Sequence, residues 1–503
     1  MITIIYSTHK DEQFNNKFKQ HLLQTVGLKD VQILEYKNNN EFSLSEIYNK
    51  GISHSNFDIV VCCHNDIKLE NGWGKKLLKD FSDYPEYGII GKAGTAYFPE
   101  SGVFWEKMQQ TMVGQVYHQP DKDKWLSKYS PKLPVIIPVI SIDGLFLSFN
   151  KTKIKHRFDE SIGRFHFYDH LFCLPNYLDG VKIGVTSSFE ITHQSIGRPN
   201  QEFYETKEKF VEKWKHVLPL DLKPKQIYVP EIKEKPIKNI GKVAVIIPTK
   251  GNVEMLKECV DSFYIHCNPE LFNIFIADTG STDDEKEILK NNIKDYNNIT
   301  LIEYDYYNFG KINNDVVKNH VTDEYEFLLF CNNDIKLLNN IIYGMLNFYK
   351  TTPKVGTIGC RLHFEDNTIQ HDGILCLIDK QQNLFISHHG LNSYYNFSNN
   401  NKKTLGSTAA LLIIKKDVFI KCEFFNENYI TCFEDVELNL KCLMLGLDNY
   451  CNSNLVSYHY ESQTRNNDVD KIKKVNEDYN YRLRPFIINN YDKLKTHIQL
   501  IKQ

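Results

Sequence analysis

The chain is predicted to fold as two tandem α/β domains, each a doubly wound sheet with helices on both faces, followed by a C-terminal helical segment. Three observations point there: strand-end motifs that recur at a nearly constant offset, short β-rich runs that alternate with helical stretches, and a proline-studded break between the two copies. A length of 503 residues also asks for more than one core, at about 100–200 residues per domain. Hydrophobic residues at 42% and charged residues at 24% can fill such cores and exclude wholesale disorder. A formal charge of -3 gives no global field for nucleic acid or an anionic bilayer, so anion recognition must be local.

The repeat is read first. Val60-Val61-Cys62-Cys63-His64-Asn65-Asp66 returns as Leu328-Leu329-Phe330-Cys331-Asn332-Asn333-Asp334, a buried-strand run ending in Asn-Asp 268 positions on. Gly88 returns as Gly356 at the same offset, and Asp169, Gly180 and His193 return as Asp435, Gly446 and His459 at 266. One coincidence is cheap; three in order are a duplicated fold.

The elements follow in order. Ile2-Thr3-Ile4-Ile5 opens the chain as a strand, with no basic flank or cleavage site before it, which predicts a cytoplasmic protein without a secretory leader. Pro219, Pro224, Pro230 and Pro236 break regular structure, so residues 219–241 read as a linker between domains at 1–218 and 242–465. Val243 to Ile247 is the first strand of the second copy, Val260 to Tyr264 lies on the helix after it, and Phe272 to Ala277 is the second strand. Residues 466–503 read as an amphipathic helix with basic flanks (Lys471, Lys473, Lys474, Arg482, Arg484, Lys493, Lys495), either packed on the second domain or touching an anionic membrane. The longest apolar stretches, Val135 to Ile140 and Ala409 to Ile414, are far short of the ~20 residues of a spanning helix. The 12 cysteines form no C-x-x-C pair and read as buried thiols.

In a doubly wound sheet, ligands bind outside the carboxyl ends of the strands. Those ends carry Thr249-Lys250-Gly251, Asp278-Thr279-Gly280-Ser281-Thr282-Asp283 and Asn333-Asp334. A strand-end carboxylate beside amides suits a divalent cation held together with substrate phosphates. Further on, apolar positions 433, 436, 440 and 443 mark a helix beginning at Glu434-Asp435. A carboxylate there can take the proton of an attacking hydroxyl, and a neighbouring acid can raise its pKa towards neutrality.

Val245 to Gly251, Ala277 to Asp283, Asn308-Phe309-Gly310-Lys311-Ile312-Asn313-Asn314, Asn332-Asn333-Asp334, Ile369-Gln370-His371-Asp372-Gly373, Glu434-Asp435 and His459 occur in the order seen in family-2-like glycosyltransferases of the GT-A fold, which residues 242–465 resemble. The resemblance implies a nucleotide-diphosphate sugar donor, a divalent metal (Mn²⁺ or Mg²⁺) and a glycan or lipid-linked glycan acceptor. It places Asp278 on the nucleotide, with Thr249, Asn308, Lys311, Asn314 and Asn333 around the donor. Asp334 becomes the metal ligand of a DxD-like element whose first carboxylate is here an amide, and His459 the late histidine near metal or diphosphate. Asp435 is then the base of an inverting transfer and Glu434 orients the acceptor.

Residues 2–200 resemble the same fold more loosely, through His64-Asn65-Asp66, Gly91-Lys92-Ala93-Gly94-Thr95, Phe167-Tyr168-Asp169 and His193-Gln194-Ser195. Asp66 and His193 align with the metal positions, Asn65 with the donor position and Asp169 with the base. No Asp stands where Asp278 does, and one carboxylate of three remains around Asp169. Two outcomes stay open: a second transferase with a different donor, or a copy that binds glycan or braces its neighbour.

Overall fold

In a computed structural model, residues 1–9, 11–130, 136–197, 199–235, 240–379, 383–394, 401–460 and 469–500 are described. Val135, Pro236 and the expected start of the C-terminal segment near 466 lie outside them. Two compact units divide the chain, one built on Met1–Lys223 and the other on Pro224–Asn392 with most of the residues that follow.

In the first unit, strands Ile2–Thr8, Val31–Lys37 and Ile59–Cys63 pair in parallel. Phe146–Asn150 then enters antiparallel between Ile59–Cys63 and Tyr87–Gly91, and Lys182–Val185 and Ile137–Val139 complete a seven-stranded sheet. In the second unit, Val243–Thr249, Phe272–Asp278, Ile299–Glu303 and Phe327–Cys331 are parallel, and Leu411–Lys415 is the antiparallel strand between Phe327–Cys331 and Val355–His363. Asp448–His459 runs parallel to Val355–His363 and carries the short strand Ile335–Leu337 on its edge. Each sheet is therefore mixed rather than wholly parallel. The reversal falls at the same place in both copies, where the chain returns to the sheet without a helical crossover.

Burial explains the strand composition. Successive side chains point to opposite faces, and both faces are covered, so the first strand of each unit is mostly apolar and buried along nearly its whole length. Ile4 and Val61 enter one core and Ile5 and Val60 the other; Val243 and Val245 are separated from Ala244 and Ile246 in the same way.

The proline-studded stretch is not a free spacer. Leu220–Asp221 pairs with Tyr97–Phe98 in the first unit. Beyond it, Pro224 and Pro230 offer their carbonyls to Asn367 (2.7 Å) and Asn339 (2.9 Å), and the Lys235 N–H donates to the Tyr343 hydroxyl (2.9 Å). Proline supplies no N–H but keeps its acceptor, and the second unit uses that acceptor.

The C-terminal segment is broken where one amphipathic helix was expected. Val469–Asp478 passes through a π-turn at Tyr479–Leu483 into Arg484–Asn489 and Tyr491–Leu494, and Ile498–Leu500 pairs as a strand with Ile374–Ile378. Pro485 interrupts the helical hydrogen-bond ladder at this point. Leu483, Ile487 and Leu494 pack against Val436 and Leu440 of the helix that begins at Glu434. Among the described residues no helix is long and apolar enough to cross a membrane.

Candidate functional site

In the second unit, Ile335 pairs with His459 across the sheet edge, which brings Asp334 beside the histidine: Asp334 Oδ1 lies 3.2 Å from His459 Nε2. The other ring nitrogen, Nδ1, is 2.6 Å from Gln370 Oε1, and the Gln370 amide nitrogen donates back to the His459 carbonyl at 3.3 Å. An amide oxygen can only accept, so Nδ1 carries a proton toward Gln370 and Nε2 is the ring nitrogen turned to the carboxylate. Asp334 Oδ1 is itself buried with no hydrogen-bond partner. A carboxylate oxygen and an imidazole nitrogen are donor types that a divalent cation accepts. Asn332 Nδ2 lies 3.2 Å from the same Nε2, and Asn333 donates to Thr249 Oγ1 at 2.9 Å, tying the loop to the end of the first strand.

Asp435, the residue expected to act as base, is one backbone step away. The Asn332 N–H donates to the Ala410 carbonyl (2.9 Å), and the adjacent Ala409 N–H donates to Asp435 Oδ2 (2.9 Å); Asp435 Oδ1 accepts from the Val436 N–H (2.7 Å). The helix Glu434–Met444 starts from Phe433 in the left-handed region at φ 78°, an uncommon conformation for a bulky residue that costs energy and occurs at functional sites. Glu434 occupies the first helical position. Glu437, the third acid of the motif, is buried and structural: it accepts from Asn426 and the Tyr429 hydroxyl and pairs with Lys441 at 3.0 Å. Asp478 accepts the N–H groups of Ile430, Thr431 and Cys432, so the C-terminal segment holds the loop that leads into Phe433.

The remaining donor candidates separate. Asp278 is buried at the end of its strand; Oδ1 accepts from Ser281 N and Oγ, while Oδ2 has no partner. The Asn308 and Asn314 amides are taken up by the segment 425–429: Asn308 donates to the Glu427 and Tyr429 carbonyls, and Asn314 exchanges hydrogen bonds with the Phe425 backbone and reaches Glu427 Oε1. Their geometry is that of loop supports. Lys311 is exposed, its ammonium 4.3 Å from the centre of the Tyr306 ring.

The first unit repeats this geometry. Asn65 donates to Thr8 Oγ1 at 2.8 Å, as Asn333 does to Thr249. Ile67 pairs with His193, and His193 Nε2 lies 3.5 Å from Asp66 Oδ1. The His64 N–H donates to the Leu145 carbonyl, Asp169 Oδ2 accepts from the Gly144 N–H at 2.8 Å, and Phe167 precedes the helix at φ 63°. Gly144 has to be glycine, since a Cβ would fall 2.0 Å from the Tyr168 hydroxyl. Burial opposes ionisation of Asp66, but His193, His64 and Ser195 together outweigh it and hold the carboxyl well below its usual range. Burial first, and then the charge of Asp143, push Asp169 up to about 7. His64, Asp66 and His193 form a set of metal-binding side chains whose ligand atoms all lie within 4.8 Å of one another. A pocket of about 190 Å³ opens at this corner, lined by Thr8, Asn38, Tyr48, His64, Asn65 and Asp66 among others.

Two departures from the second unit stand out. Thr8 pairs with Lys37 where Thr249 pairs with Asp278, so the position of Asp278 carries the opposite charge in the first unit. A second acid beside Asp169, absent from its own helix, is supplied by Asp143 from the turn before Phe146–Asn150. His64, Thr8, Asp143, Gln370 and Asp478 were not singled out from sequence. The repeat held a signal for His64, which aligns with Asn332, and Gln370 stood inside the Ile369–Gly373 motif without a role; the others become visible only through contacts.

Comparison with known proteins finds glycosyltransferases for both halves of the chain. Residues 3–214 match a family described as "Glycosyltransferase like family", and residues 244–414 match "Glycosyl transferase family 2". The O-antigen biosynthesis protein RfbC of Myxococcus xanthus is 27% identical over 241 residues, 46% of this chain and 18% of the relative. The poly(ribitol-phosphate) beta-glucosyltransferase of Bacillus spizizenii is 28% identical over 121 residues, 24% of this chain and 19% of the relative. The chain thus spans about a fifth of the length of these two curated relatives. Among solved structures, the mannosyltransferase PcManGT of Pyrobaculum calidifontis, in complex with GDP-Man and Mn²⁺, is 15% identical with a TM-score of 0.33, covering 44% of this chain and 58% of that one. With a mixed α/β sheet in each unit and a matching family domain in each half, the chain belongs to the family-2-type glycosyltransferases, two domains in tandem.

Proposed function

We propose that the chain transfers sugars from nucleotide-diphosphate donors to hydroxyls of a glycan, free or lipid-linked, with inversion and one reaction in each unit. The observation that carries this reading is the facing pair Asp334 Oδ1 and His459 Nε2, a donor set that fits a divalent cation, set two backbone hydrogen bonds from the Asp435 carboxylate. Asp334 and His459 would hold the cation, and Asp66 and His193 would do so in the first unit. A bound divalent cation supplies charge compensation for the departing diphosphate. Asp278 binds the nucleotide through its unpartnered oxygen, and Thr249 and Asn333 shape the floor beneath the donor. Asp435 takes the proton of the acceptor hydroxyl as it attacks the anomeric carbon, while Glu434 orients that hydroxyl. Asn308 and Asn314 act through the loop they hold. In the first unit Asp169 is the base, and Lys37 in place of Asp278 favours a donor with a different nucleotide.

Mass spectrometry of the acceptor product tests the reading. Asp66→Ala with Asp169→Asn should remove one of two sugar increments, and Asp334→Ala the other. A wild-type chain that adds a single sugar, unaffected by the first pair of changes, makes the first unit a binding or bracing module.

A further inference from the structure

The two metal corners differ in one coordinated exchange. In the first unit His64 Nδ1 lies 3.9 Å from Asp66 Oδ1, and its other nitrogen, Nε2, is 3.0 Å from the Tyr168 hydroxyl. In the second unit the positions of His64 and Tyr168 are held by Asn332 and Glu434. The imidazole has given way to an amide and the phenol to an acid.

The exchange changes the chemistry of the ligand set. With Nε2 facing Tyr168, His64 turns Nδ1 toward Asp66, on the side where His193 presents Nε2; the three ligand atoms lie within 4.8 Å of one another. Ligands about 2.0–2.2 Å from a common ion sit roughly 3–3.5 Å apart, so small side-chain rotations close the set. Two imidazoles and one carboxylate suit zinc, cobalt, nickel or ferrous iron, whereas losing one of the two imidazoles shifts the preference toward magnesium and manganese. Tyr168 has the place of an outer partner that fixes which ring nitrogen faces the ion.

This inference rests on the reading of both corners as metal sites. We infer that the first unit selects a borderline transition-metal cation through His64, Asp66 and His193, while the second unit, with an amide at position 332, takes a harder, oxygen-preferring ion. One chain then carries two transfer sites with different metal requirements, and His64 is the selecting residue.

The test uses the full chain, stripped of metal, with Co²⁺ and Mg²⁺ as probes, read by calorimetry and by the visible absorption of bound cobalt. Carrying Asp334→Asn throughout isolates the first corner. One cobalt per chain is expected to bind there and to survive a hundredfold excess of Mg²⁺. His64→Asn should weaken cobalt tenfold or more, and Tyr168→Phe by a smaller factor. In an otherwise wild-type chain, Asn332→His should add a second cobalt site that Mg²⁺ does not displace, a gain that misfolding cannot produce. Displacement of cobalt by equimolar Mg²⁺, or His64→Asn binding cobalt within twofold of its parent, would overturn the inference. Metal binding is read without turnover, so a first unit that binds cobalt and transfers nothing overturns only its catalytic role, and one that transfers sugar with Mg²⁺ alone overturns only the selectivity.

Discussion

Asp435→Asn offers the sharpest trial of the second unit, and the structure shows that it is not a silent isostere. Both carboxylate oxygens accept backbone N–H groups, from Ala409 at 2.9 Å and Val436 at 2.7 Å. An amide can satisfy only one of them; its NH₂ must face the other N–H, donor against donor. Leaving such a group unmade costs about 1–3 kcal/mol. At roughly 2–4 °C per kcal/mol for a domain of about 150–250 residues, the thermal midpoint of this unit should fall by several degrees. Loss of a general base costs about 10²–10⁴ in rate, or about 2.7–5.4 kcal/mol in the barrier. The two effects separate by assay: turnover is measured well below the midpoint with donor saturating, and unfolding is followed by calorimetry. The expected result is a modest loss of stability, donor affinity within a few-fold, and a rate down by at least 10². Turnover within about threefold of wild type, under conditions where chemistry limits, refutes Asp435 as the base.

Gln370→Leu should release the His459 tautomer and weaken metal-dependent donor binding by about 10–100-fold in calorimetry, with unchanged affinity counting against the fixed-tautomer argument. Asp169, pushed up to about 7 by burial and Asp143, binds more protons folded than unfolded between its ordinary value near 4 and that raised value. Its contribution is therefore fully favourable below about pH 4 and is lost as pH rises through about 7; denaturant titrations across that window should show the decline, and Asp169→Asn should flatten it. If Asp169 is also the base, the rate of the first transfer should rise with pH around the same value. Asp478→Ala should strand the N–H groups of Ile430, Thr431 and Cys432 and leave Arg482 unpaired, costing about 3–5 kcal/mol and opening the segment before Phe433 to proteolysis; an unchanged cleavage pattern removes Asp478 as its anchor.

The duplication, the strand-helix alternation and the strand-end motifs were legible in the residues themselves, because buried strands demand apolar runs and a repeated fold repeats its offsets. Asp334 and His459 could be named in the same way, since each terminates a readable strand. That they face each other was not legible, because strand pairing joins residues 124 positions apart through the register of Ile335 with His459. The antiparallel strand in each sheet also escaped the pattern, as a fully buried strand is apolar in either direction. Asn308 and Asn314 read as donor contacts by motif, yet contacts with the 425–429 segment decide what their amides do. Only the tertiary structure returns a second acid, Asp143, to Asp169, and only there do His64 and Tyr168 meet across 104 residues. Sequence by itself determines which side chains stand at the strand ends, because burial periodicity is local; which ring nitrogen faces which carboxylate is decided by register and by the partner on the far side of each ring, and neither is a local property of the chain.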